Sequence, residues 1–182
     1  MIEAILFAIV AATLGTHLLT AALAAWRHRS AAAPDTEDHR LPYVSLVRPV
    51  CGVDAFDAET LASSFRQDYP RYEIIFCAPS ESDPAVALVR RLIAENPQIE
   101  ATLLCGETRM SGNPKLNNVA KGYRAARSEW VVMTDSNLLL PPDYLRTLAA
   151  TWQSDTGLVS SPPSGIRPGN FWGAVECAFL NT

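Results

Sequence analysis

The sequence predicts an α/β domain built on a mostly parallel sheet and carried behind an N-terminal membrane helix. Three observations predict it. Residues Ile2 to Trp26 form an apolar run long enough to cross the hydrocarbon core of a bilayer. Beyond residue 42, short runs rich in β-branched and aromatic residues alternate with stretches of helical periodicity, the pattern of strand–helix–strand units. Those short runs are apolar enough for burial on both faces, as parallel strands covered by helices are.

The N-terminal run, IEAILFAIVAATLGTHLLTAALAAW, has one charge, Glu3, near its start. Trp26 sits where an interfacial aromatic belongs, and Arg27, His28 and Arg29 follow at once. A cleaved signal peptide carries its positive charges before a shorter apolar run; here they come after a longer one. The positive-inside rule then puts the N-terminus outside and everything from Arg27 onward in the cytoplasm, at a bacterial inner membrane or its equivalent. A hydrophobic core helix is the other reading of the same run. His17 is tolerated within the helix, although an intramembrane polar residue can also mark a contact. The chain is expected to divide into an anchor over 1–27, a polar, Pro-bounded juxtamembrane linker over 28–42, and a globular domain over 43–182.

The elements of that domain follow in order. Tyr43 to Val50, YVSLVRPV, is a strand that stops at Pro49 and Gly52. Thr60 to Arg66 has helical character and leads into the turn Asp68-Tyr69-Pro70. Tyr72 to Ala78, YEIIFCA, is the second strand, ending in the polar PSESDP. Ala85 to Asn96 is a helix, with apolar residues at 86, 88, 89, 92 and 93, and Pro97 stops it. Ile99 to Cys105 is a third strand, followed by the loop GETRMSGNP. A helix over Leu116 to Ala126, a fourth strand over Trp130 to Thr134 and a helix over Asp143 to Gln153 come next, with Gly157 to Ser161 as a candidate fifth strand.

Composition narrows the function classes. The 182 residues are 48% hydrophobic with a net charge of −4, so no basic surplus marks a nucleic-acid binder and none is expected as partner. Cys51, Cys77, Cys105 and Cys177 form no C-x-x-C pair; they read as reduced core residues rather than disulfides or a zinc site. A serine triad has no support: Ser63, Ser64 and Ser136 lack a G-x-S-x-G context, and His28 and His39 lie beside the membrane.

In parallel α/β sheets, ligands bind beyond the carboxyl ends of the strands. That rule brings PVCGVD, PSESD and the Asp135-Ser136-Asn137 triplet to one edge. Asp54, Asp83 and Asp135 each follow or end a strand, and each alone reads as a turn or cap residue. Together at one edge they suit a hard cation, which takes one or two carboxylates while phosphates and water complete its shell. GETRMSGNPKLNN, Gly106 to Asn118, places glycines, Arg109, Lys115 and two asparagines before a helix. It is either an ordinary loop or a phosphate-receiving helix start; it is not a Walker A loop.

Three segments carry a family likeness: VSLVRPVCGVD, QDYPRYEIIFCAPSESDPA and GNPKLNNVAKGYRAARSEWVVMTDSN. In that order they resemble the ceramide glucosyltransferases of glycosyltransferase family 21, close kin of family 2, from Pro42 to about Thr182. Bacterial hopanoid-type glycosyltransferases are near relatives. The resemblance implies a GT-A fold, here the donor-binding half, over 43–182. It implies transfer of a hexose, glucose, from a UDP-sugar donor to the hydroxyl of a ceramide-like membrane lipid. Asp83 matches the family's first aspartate, near the uracil and ribose. Asp135 matches the second, which holds the divalent cation, Mg²⁺ or Mn²⁺, and the diphosphate. Where the family has D-x-D, this chain has Asp135-Ser136-Asn137, so a second metal contact falls to the neutral amide of Asn137. Lys115 lies close to the donor, whose diphosphate suits its charge, while Asn117 and Asn118 order the same loop. The family's catalytic base is a third aspartate, followed by Q/R-x-x-R-W, and neither motif matches a position here; Asp143, Asp155 and Glu176 have no such context. The chain is therefore expected to be incomplete as a catalyst, with a non-catalytic, membrane-anchored nucleotide-sugar-binding fragment as the alternative. GNFWGAVECAFLNT, near the end, is amphipathic and suited to a membrane surface.

Overall fold

A computed structural model describes residues 2–29 and 41–181, and the expected linker over 28–42 falls largely outside them. They form two compact units. One holds residues 2–29 and 160–181; the other is the described part of Asp35–Val159.

In the first unit, helix α1 spans Ile2–Arg29. Its apolar window Ile2–Leu23 has a mean hydropathy of 1.9 and no buried share, so it is long and apolar enough to cross a membrane. The same unit holds the last helix, which follows the elements of the sheet domain.

The sheet domain comprises β1 (Val44–Pro49), α2 (Asp57–Ala62) running into a 3₁₀ turn over Ser63–Arg66, and β2 (Tyr72–Ala78). Then come α3 (Pro84–Glu95), β3 (Glu100–Cys105), α4 (Pro114–Ala125), β4 (Trp130–Met133) and α5 (Tyr144–Thr151). In the first unit, α6 (Phe171–Leu180) is capped by Asn170, whose side chain accepts from Gly173 N. Its residues Phe171, Trp172 and Phe179 are exposed.

The four strands make one parallel sheet in the order β3-β2-β1-β4. Val44 on β1 stands opposite Tyr72 on β2 and Trp130 on β4. Every residue of β1 and β2 is buried, while the edge strands β3 and β4 are only partly so. That is why the central runs lack polar alternation. The larger core packs Leu46, Ile74 and Phe76 against Leu61, Phe65, Val86, Val89 and Leu145. The smaller one joins Val47, Ile75 and Cys77. Helix α4 lies close above it at Gly122, where a Cβ would stand 2.5 Å from Val47 Cγ1 and 2.6 Å from Cys77 Sγ.

Two charged side chains are buried in the central strands. At the amino edge, Glu73 accepts from Ser45 Oγ (2.6 Å), Arg127 N (3.0 Å) and Arg127 Nε (2.9 Å). At the carboxyl edge stands Arg48, fully buried.

Two expectations are corrected. Gly157–Ser161 is not a strand: it has no ladder partner among the described residues, and Leu158 is 82% exposed. A strand depends on a neighbour as much as on its own propensity. The four cysteines are free, as expected, but only Cys77 is buried; Cys51 is exposed.

Candidate functional site

Because all four strands run the same way, their carboxyl ends open onto one edge, and a cleft of about 500 Å³ lies there. Pro49, Val50, Cys51 and Asp54 line it after β1, and Pro79 after β2. Asn113, Pro114, Lys115 and Asn118 come from the start of α4, and Asp135, Ser136 and Asn137 from the end of β4. Lys115, Asn118, Asp135 and Asn137 are thus brought together as the sequence suggested. The link between α4 and the β4 end is direct: Lys115 Nζ lies 2.6 Å from Asp135 Oδ1, both side chains about half exposed.

Helix α4 begins with Asn113-Pro114, and the Asn113 side chain accepts from Lys115 N (3.0 Å) and Leu116 N (3.3 Å). Proline at the first helical position has no N–H to satisfy, and Asn117 N donates to Asn113 O. Of the two readings left open for this segment, the phosphate-receiving helix start with free main-chain N–H groups is not what is seen: the cap has taken them. Whatever this helix offers an anion comes from the Lys115 ammonium.

The two asparagines that follow do different work. Asn117 orders the preceding loop, accepting from Met110 N and Ser111 N at 2.9 Å and donating to Glu107 and Ser111 O. Asn118 was expected to do the same; instead its Nδ2 donates to Cys77 O (2.8 Å) and Val50 O (3.4 Å), tying α4 to the ends of β2 and β1. Two carbonyls fix which end of the amide is the donor, and Oδ1 is left buried without a partner. A buried acceptor in that state costs about 1–3 kcal/mol, and it belongs to a side chain lining the cleft.

Asp83 does not line the cleft. It caps α3, accepting from Ala85 N (2.9 Å), and both its oxygens accept from Gly52 N (3.0 and 3.2 Å). Gly52 has φ +70, which glycine adopts without strain. Asp83 thus clasps the loop after β1. Burial and then the Asp83 carboxylate push the neighbouring Cys51 thiol up from its ordinary value. Asp54, weighed in the sequence only as one of three carboxylates, does line the cleft; its N–H donates to Asp57 Oδ2 at 2.8 Å.

Reasoning from sequence missed Arg48. Its Nη1 donates to Thr60 O (2.9 Å) and Ser64 Oγ (2.7 Å). Its Nη2 reaches Asp135 O (2.7 Å), Ser136 O (3.1 Å) and Leu138 O (2.8 Å). Burial lowers its pKa to about 10, so it stays protonated at neutral pH. An arginine inside an apolar strand run, followed by a turn, was the available signal.

Among the described residues, no three His, Cys, Asp or Glu side chains group to hold a metal by themselves. The donors at the β4 end are all oxygens: the Asp135 carboxylate, the Ser136 hydroxyl and the Asn137 amide. That set fits a hard divalent cation completed by phosphates and water, and does not fit a softer metal held by protein alone.

Residues 2–182 match the family Glyco_transf_21, described as Glycosyl transferase family 21. Ceramide glucosyltransferase 1 of Caenorhabditis elegans is 37% identical over 148 residues, covering 80% of this chain and 32% of that protein. The ceramide glucosyltransferase of Komagataella phaffii is 39% identical over 99 residues, 52% of this chain and 19% of that one. The chain spans about a third or less of the length of these relatives. Among solved structures, mannosyltransferase PcManGT from Pyrobaculum calidifontis, in complex with GDP-Man and Mn²⁺, aligns with a TM-score of 0.62 and 30% identity. That alignment covers 82% of this chain and 43% of that one. The parallel sheet, the cleft at its carboxyl edge and these matches agree: the chain has a GT-A-like fold and belongs to glycosyl transferase family 21.

Proposed function

We propose that this chain is the donor-binding part of a membrane-anchored hexosyltransferase. The enzyme moves glucose from a UDP-sugar to the hydroxyl of a ceramide-like lipid. The single observation that carries this is the convergence of Lys115 and Asp135 in one cleft at the sheet edge. The named activity of the two ceramide glucosyltransferases supports the sugar and acceptor. The GDP-Man and Mn²⁺ in the mannosyltransferase complex support a nucleotide-sugar donor and a divalent cation, Mg²⁺ or Mn²⁺.

In this reading Asp135 and Asn137 hold the cation, which when bound neutralises charge on the leaving diphosphate. The Lys115 ammonium binds the diphosphate beside it and, being fixed to a helix, favours the leaving group as its charge develops. Asn118 ties the donor-side start of α4 to the ends of β2 and β1, and Asp83 keeps the Cys51–Gly52 loop in place near the nucleoside. The α1 helix tethers the chain to the bilayer that holds the lipid, and the sheet domain belongs to the cytoplasmic side.

The test is calorimetric titration of UDP into the full chain in detergent, with and without Mn²⁺. Saturable binding that needs Mn²⁺ and is lost in D135A is expected. Binding indifferent to both Mn²⁺ and D135A would sink the proposal.

A further inference from the structure

The turn that carries Asp135 into the cleft is held from inside by a cation. Arg48 is the largest of the fully buried side chains, and its hydrogen bonds go to main-chain carbonyls and one hydroxyl rather than to a carboxylate. Burying a guanidinium on which the carboxylates of Asp57 and Asp135 act only through space, and not through a hydrogen bond, is costly, and a leucine at this position would fill a strand core without that cost. The acceptors show what the charge does. Three of them are carbonyls of the turn at Asp135, Ser136 and Leu138. A fourth contact pins the same turn, because Thr60 Oγ1 donates to Ser136 O at 2.6 Å. Carbonyls drawn inward on one guanidinium fix the main chain on which Asp135 and Asn137 stand.

We propose that Arg48 is a positioning residue for the metal–diphosphate site. Its fixed charge gathers the carbonyls of the Asp135–Leu138 turn and so sets the direction in which the Asp135 carboxylate and Asn137 amide meet a ligand. This rests on the reading that Asp135 and Asn137 hold the cation. A lysine cannot replace it: one ammonium has three donors at one point, against a planar fork that spans five acceptors.

The experiment compares R48K with R127A, which cuts the Glu73 network at the opposite edge of the sheet. Hydrogen exchange is followed at Thr134 N, Leu138 N and Leu140 N, which are hydrogen-bonded in and around the turn, and UDP affinity is measured with Mn²⁺. In R48K, exchange at these three amides is expected to rise while β2 stays protected. Affinity is expected to fall about tenfold or more, the usual scale for partners that orient metal ligands. In R127A, stability falls but neither the turn amides nor the affinity changes selectively. Should R48K fail to fold, T60V is the gentler cut, with the same local rise expected.

Exchange that is unchanged, or that rises equally across the sheet, would overturn the role given to Arg48. A wild-type chain that binds no Mn²⁺ or UDP sinks the donor-site reading instead, and the exchange data still decide whether Arg48 orders the turn.

Discussion

Lys115 Nζ and Asp135 Oδ1 lie 2.6 Å apart, so the lysine occupies one face of the carboxylate expected to meet a divalent cation. Both side chains are about half exposed, and such a pair contributes at most about 1 kcal/mol. It is easily exchanged for a better partner. On the proposed function, ion and lysine compete for Asp135 until a diphosphate arrives to take the lysine.

K115M should therefore move two affinities in opposite directions. Removing the resident charge is expected to tighten Mn²⁺ binding without nucleotide by up to about fivefold, the ratio equivalent to 1 kcal/mol. UDP binding at saturating Mn²⁺ is expected to weaken by roughly ten- to a hundredfold, since a charge-assisted contact of about 1.5–3 kcal/mol is lost. Electron paramagnetic resonance of free Mn²⁺ and calorimetry with UDP read the two. Weakening of both would show that Lys115 does not compete with the ion.

G122A should destabilise the sheet domain. The added methyl would meet Val47 Cγ1 at 2.5 Å and Cys77 Sγ at 2.6 Å, and such overpacking costs about 1–3 kcal/mol. Alanine's better helix propensity returns up to about 1 kcal/mol. A fall in urea midpoint at unchanged m-value is expected. Because α4 carries Lys115 and Asn118, UDP affinity should fall with it.

Alkaline pH should unfold the domain through its buried tyrosines. Tyr69 and Tyr72 donate to Pro42 O and Ser64 O, and burial raises both hydroxyls to about 12. The unfolded chain releases those protons near pH 10. Their contribution is therefore complete below about pH 10 and lost as pH rises towards 12. Arg48 works in the opposite sense, its value being lowered to about 10, so the informative quantity is the difference from Y72F. Between pH 10 and 12 the wild type should lose stability more steeply than Y72F in urea titrations. Parallel slopes would contradict the assignment.

Helix α1 should hold the chain in a membrane by its own apolarity. Leu14 and Leu18 are exposed within the apolar window. Arginine at the centre of a spanning helix costs about 2.5–3.5 kcal/mol by insertion scales. Wild-type chain should stay in the pellet after a carbonate wash, and L14R/L18R should shift to the supernatant.

Much of the fold was legible in the sequence because β1 and β2 are buried on both faces and so read as mostly apolar runs without regular polar alternation. The convergence of Lys115 with Asp135 was legible too, since parallel strands must deliver their ends to one edge. Less legible was anything settled by a partner far along the chain. Gly157–Ser161 has strand-like residues but no neighbour to pair with. Asn113 takes the N–H groups that a phosphate-receiving helix start would have offered, a role the Asn-Pro pair signals but composition does not. Arg48 reads as an odd residue in a strand because its acceptors are main-chain carbonyls, which leave no side-chain signature.

The sheet order has a kinetic consequence. On one side β1 meets β2 through pairs such as Ser45 and Glu73, 28 residues apart. On the other it meets the β4 turn through Arg48 and Asp135, 87 residues apart. Closing the longer loop from an unfolded chain costs roughly 1 kcal/mol more entropy, so β4 should dock after the β1–β2 pair has formed. The cleft is then among the last features to assemble during folding, and a chain still in production on the ribosome has no binding site until residues beyond Asp135 have emerged.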